Sequence, residues 1–97
     1  MLVHSVYFWL RPGLSDEQRR QVGRGLGSLS AIPSEGCYVG TPVPSDRPVV
    51  EGSYTFGLTV LFESPEAMAA YMVHPVHQEF LAQFRSFWDR IVVYAHQ

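Results

Sequence analysis

The chain contains no lysine. Its seven basic residues are all arginines, scattered along the sequence against nine Asp and Glu, for a net charge of −2. A surface with no basic patch has little attraction for nucleic acid or an anionic membrane, so neither is expected as a partner. There is a single cysteine, Cys37, which excludes an intrachain disulfide and fits a reducing compartment. Free cysteines usually pack as small hydrophobes and seldom act as nucleophiles. No apolar run approaches the ~20 residues that a membrane-spanning helix needs. The opening MLVHSVYFWLRPG has neither a basic n-region nor a small-residue cleavage site. A soluble cytoplasmic protein is expected. The glycine-rich GRGLG lacks the lysine and the preceding strand of a phosphate loop. His74 and His77 stand three apart, but Pro75 lies between them and no third ligand is in view, so no zinc site is expected.

What the sequence does hold is apolar and aromatic. Its 97 residues suffice for one domain, and a domain this small often gains from oligomerisation. Hydrophobic residues make up 46%, with five Tyr, six Phe and two Trp. That is more apolar surface than one small core hides, and it points to a subunit interface.

Leu2 to Leu10 reads as a strand of β-branched and aromatic residues. Leu2, His4, Val6, Phe8 and Leu10 share one face, and Val3, Ser5, Tyr7 and Trp9 the other. Both faces are largely apolar, so both are expected to be covered, one by the chain's own helices and the other by a second copy. Arg11-Pro12-Gly13 is a turn. Ser15 to Gln18 forms a capping box and opens a helix to about Leu29, with Val22, Leu26 and Leu29 inward. Gly23, Gly25 and Gly27 each weaken that helix by roughly 1 kcal/mol relative to Ala, unless small residues serve a close approach. Cys37 to Thr41 is a short strand, and the proline-rich 42–53 segment is a loop. Tyr54 to Phe62 alternates as a strand, with Tyr54, Phe56, Leu58, Val60 and Phe62 on one face. Ser64 caps a helix that begins at Pro65, and Ile91 to Tyr94 closes the chain as a strand. The order βαββααβ predicts an α+β, ferredoxin-like sandwich: helices on one face of a four-stranded antiparallel sheet, the other face bare.

The stretch YMVHPVHQEFLAQFRSFW, Tyr71 to Trp88, carries the chemistry. Pro75 cannot lie inside a helix but can open one, so one helix ends near Val73 and another starts at Pro75. His77, Phe80, Leu81, Phe84, Phe87 and Trp88 then recur on one helical face. His77 falls on the buried side of the first turn, where the helix dipole disfavours its protonated form. A neutral imidazole beside a cavity suits a general base. The same pattern also fits a core histidine hydrogen-bonded to its surroundings.

The strand VHSVYFWLRPG, the FESPEAMAAY helix, HPVHQEF and FRSFWDRIVV together resemble the stress-responsive dimeric α/β-barrel family, over essentially the whole chain. The resemblance implies a homodimer in which two ferredoxin-like sheets form a barrel, with a stress-response role. From Glu63 to Val93 it is closest to a plant branch of polyketide cyclases, which carry out an intramolecular aldol condensation without a cofactor. Carried over by position, the base is His77, the supporting tyrosine is Tyr71, and the strand histidine lining the pocket is His4. Phe56 stands where that branch has a second pocket histidine. Phe56, Phe80, Leu81, Phe84 and Trp88 would shape the cavity around a small apolar or polyketide-like ligand. Some plant members hold magnesium through backbone carbonyls, which here would be those of Leu29, Ile32 and Glu35. Two rival readings stand beside the cyclase. In one, a non-catalytic dimer binds a small molecule or nothing, with Tyr71 and His77 bonded to each other. In the other, a cofactor-free or haem-using monooxygenase would need a haem ligand or an oxygen-activating dyad that the sequence does not place.

Overall fold

Alternation in the first strand decides the layering. In the computed structural model, which describes residues 1–97, Leu2–Leu10 (β1) runs through the sheet centre, and every second residue from Leu2 to Leu10 is buried. The other strands are Gly36–Gly40 (β2), Phe56–Phe62 (β3) and Trp88–His96 (β4). The sheet order is β2-β3-β1-β4, antiparallel throughout. Register places His4 opposite Val60 on one side and Ala95 on the other. Side chains paired in this way share a face, so His4 belongs to the layer of Leu58, Val60 and Phe62.

Three helices cover that layer. Asp16–Ser28 (α1) starts with both halves of the capping box: Gln18 N–H donates to Ser15 Oγ at 3.0 Å and Ser15 N–H to Gln18 Oε1 at 2.8 Å. Val22 and Leu26 are fully buried beneath it. Pro65–Met72 (α2) is capped by Ser64, whose Oγ accepts from Ala67 N–H at 3.2 Å. Pro75–Phe84 (α3) follows directly, and a 3-10 turn over Arg85–Phe87 leads into β4. Gly25 provides a close approach, though toward α3 and not the sheet. A Cβ there would collide with the Phe84 ring and lie 3.2 Å from Phe80. Gly27 has open space beside it and serves no such purpose. Gly13, in the turn after β1, has φ of +91°, a conformation that side chains disfavour.

The second face of the sheet is bare. It carries Tyr7, Trp9, Val92 and Tyr94, with Tyr7 and Tyr54 in edge contact at 4.9 Å and the Arg90 guanidinium 4.3 Å over the Trp9 ring. Ser5 and Thr59 hydroxyls meet across it at 3.2 Å. No helix is long and apolar enough to cross a membrane.

Strand β4 begins at Trp88, three residues before the expected Ile91. Leu10 pairs with Trp88 while Trp9 pairs with Arg90, so the ladder steps over Asp89. This irregularity turns the Trp88 ring inward, stacked 5.9 Å from Phe80 and edge-on to Phe8 at 4.9 Å. Trp88 therefore keeps the inward position that helical spacing implied, but on a strand.

Candidate active site

Three polar side chains occupy the layer between helices and sheet. His4 arrives on β1, Tyr71 on the last turn of α2 and His77 on the first turn of α3. Pro75 and the cap of α3 set the angle between the last two. His74 accepts from Val76 N–H through Nδ1 at 3.1 Å, and the Gln78 amide donates to Met72 O at 2.9 Å. The ring of His74 is thus spent on capping, and no group of three or more His, Cys, Asp or Glu stands together.

All three expected polar residues come together and are buried: Tyr71 is 1% exposed, His4 6% and His77 9%. The Tyr71 ring sits 5.0 Å from His77, 6.3 Å from His4 and 5.1 Å from Phe62, each edge-to-face. None of the three is satisfied. His4 Nδ1, His77 Nδ1 and the Tyr71 hydroxyl are buried with no hydrogen-bond partner. The internal Tyr71–His77 hydrogen bond of the non-catalytic reading is therefore not made. An unsatisfied buried polar atom costs about 1–3 kcal/mol, so three in one place is a costly arrangement for a structural core.

The three side chains are among those lining a cavity of about 170 Å³. Its floor is His4, Val6, Phe8 and Leu58 from the sheet; Tyr71, His77, Phe80 and Leu81 roof it. Leu29 closes one side, and Met72, Ile91 and Val93 form a partly exposed apolar rim. Of the five residues expected to shape the cavity, Phe80 and Leu81 do. Phe56, Phe84 and Trp88 do not. Phe84 fills the space that Gly25 leaves between α1 and α3, and Phe56 faces α1 at Gly23, 3.3 Å from where a Cβ would stand. Trp88 packs on Phe8 and Phe80. No periodicity in the sequence marks the rim. Register exposes it: Ile91 pairs with Phe8 and Val93 with Val6, both on the cavity face.

Burial sets the electrostatics. It lowers the His77 pKa below 6.5, and it does the same for His4, with the neighbouring His77 adding to the effect. Both imidazoles are neutral at pH 7, and each then offers one donor and one acceptor nitrogen. The cause at His77 is desolvation. Burial, helped by Cys37, pushes the Tyr71 phenol well above its ordinary value, so it stays a donor.

Of the carbonyls that the resemblance offers to magnesium, that of Leu29 accepts from Ile32 N–H at 3.1 Å, and Glu35 is held by its N–H donating to Leu61 O at 2.8 Å.

The family model described as the Stress responsive A/B Barrel Domain matches residues 2–95. Among characterised proteins, olivetolic acid cyclase from Cannabis sativa is 39% identical over 44 residues, which is 45% of this chain and 44% of the cyclase. The chain thus matches under half of that enzyme's length. The stress-response A/B barrel domain-containing protein HS1 from Arabidopsis thaliana is 28% identical over 92 residues, 93% of this chain and 83% of that one. The crystal structure of a dimeric ferredoxin-like protein of unknown function from Thermobifida fusca superposes with a TM-score of 0.80, covering 98% of this chain and 88% of that one at 22% identity. At that identity the likeness shows the fold alone. With the βαββααβ topology in place and the family match running nearly end to end, the chain belongs to the stress-responsive A/B barrel domain family.

Proposed function

We propose that the cavity is a cofactor-free acid–base site for carbon–carbon bond formation at a carbonyl, similar in kind to the cyclase reaction. The observation that carries this reading is three polar side chains, each with a buried atom left unpaired, among the residues that line one apolar cavity. Pockets of this composition bind mostly apolar ligands and orient them with a few polar groups. The neutral His77 imidazole takes a proton from the carbon α to a carbonyl. Negative charge then gathers on the carbonyl oxygen, and the Tyr71 hydroxyl donates to it. The resulting carbanion attacks a second carbonyl in the same molecule, and the new alkoxide regains the proton from His77. His4 holds the substrate or relays that proton. Phe80, Leu81 and Phe8 exclude water. No net proton, electron or co-reactant is consumed.

The protein works as a homodimer in this reading. The bare aromatic face of the sheet asks for cover, and the Thermobifida relative is described as dimeric. Cytoplasmic residence belongs to the same reading, since the half-buried Cys37 is a free thiol.

The test uses a simple probe. Phenylacetone in D2O exchanges its benzylic protons slowly, and NMR follows the loss of signal. The wild-type protein should accelerate exchange, and His77→Gln should lose about a hundred- to ten-thousandfold of that acceleration while keeping its fold. If phenylacetone binds and neither protein exchanges it, the cavity is a binding site without catalysis.

A further inference from the structure

The same cavity limits what can react in it, and the limits come from its wall and its size. No Asp, Glu, Lys or Arg lines it, and the histidines and tyrosine that do are buried. The rim offers no charge either: Met72, Ile91 and Val93 are 40%, 43% and 52% exposed, and all are apolar. A carboxylate or phosphate drawn in here would lose its water and meet no opposite charge. The volume is about 170 Å³. An engineered apolar cavity of about 150 Å³ takes up benzene, so this one holds a single ring with a short arm.

From these observations, resting on the acid–base reading above, we infer that the substrate is a small neutral carbonyl compound, near one six-membered ring in bulk. Its oxygen reaches Tyr71 and its acidic C–H reaches His77. Acidic compounds and long chains are excluded from the buried part.

Calorimetry on the full protein near pH 7.5 tests this with three ketones. Phenylacetone is neutral and compact, phenylpyruvate replaces its methyl with a carboxylate, and 1-phenylhexan-2-one lengthens it. Phenylacetone should bind, and the other two should bind roughly tenfold or more weakly, a difference of about 1.4 kcal/mol. Val93→Trp, at the exposed rim, should weaken phenylacetone binding, and Leu81→Trp inside should abolish it. His77→Gln should preserve the ranking, which separates this inference from the catalytic one. If exchange depends on His77 but phenylpyruvate or the long ketone binds as well as phenylacetone, the size and charge limits are wrong and the base stands. Absence of phenylacetone binding to wild-type protein would overturn the inference outright.

Discussion

Tyr71 and His77 meet edge to face with ring centroids 5.0 Å apart, yet the Tyr71 hydroxyl and His77 Nδ1 bond neither to each other nor to any other group. Buried polar side chains are usually hydrogen-bonded, and these two, brought together by the Pro75 break, are exceptions.

That arrangement makes stability and activity move in opposite directions. Tyr71→Phe removes a buried hydroxyl that has no partner, so no hydrogen bond is lost. Unfolding in urea should show a protein as stable as wild type or more stable by about 1 kcal/mol. Exchange of phenylacetone should fall about a hundredfold. A large loss of stability in Tyr71→Phe would mean that the hydroxyl is bonded after all.

Both buried histidines titrate below their ordinary value of 6.5 in the folded chain. Between the folded and unfolded values the unfolded chain binds more protons. Their contribution to stability is therefore present above about pH 6.5 and is lost as pH falls from there through the folded values. Denaturant midpoints measured from pH 7.5 down to 5 should decline, and the decline should be shallower in His4→Phe/His77→Leu. Exchange activity should persist below the pH at which an exposed imidazole would be protonated.

The glycines of α1 separate packing from propensity. Gly25→Ala gains about 1 kcal/mol of helix propensity but forces a methyl into the Phe84 ring, a clash of the kind that costs about 1–3 kcal/mol. Its melting temperature should drop. Gly27→Ala meets nothing within 4 Å and should raise the melting temperature by several degrees, since about 1 kcal/mol moves a domain of this size by roughly 4–8 °C.

Val92 lies on the bare face, opposite Tyr7. Light scattering should give wild-type protein twice the chain mass, and Val92→Asp should shift it to monomer by placing a carboxylate in the interface. Equal masses for the two proteins would move the interface elsewhere.

The fold could be read from the residues because its signals are local and agree with one another. The alternation of Leu2 to Leu10, the Ser15–Gln18 box, and the prolines opening α2 and α3 each act within a few residues. The site polar residues were also readable, since His4 and His77 interrupt otherwise apolar faces. The cavity wall was not. Helical spacing puts Phe80 and Phe84 on one stripe, but Gly25 on α1 decides that Phe84 fills an interhelical gap. Trp88 carried the right face on the wrong element, because the aromatic run RSFWDR fits a helical period until the 3-10 turn and the irregular pairing with Leu10 break it. Ile91 and Val93 became visible only through pairing with Phe8 and Val6, contacts more than eighty residues away in the chain.

The most direct test is nitrogen-15 NMR of the histidine side chains, with and without phenylacetone. His77 should stay neutral as pH falls through 6.5, and its ring nitrogens should shift when phenylacetone enters. A His77 imidazole that protonates near the ordinary value and is indifferent to the ketone would contradict the acid–base reading.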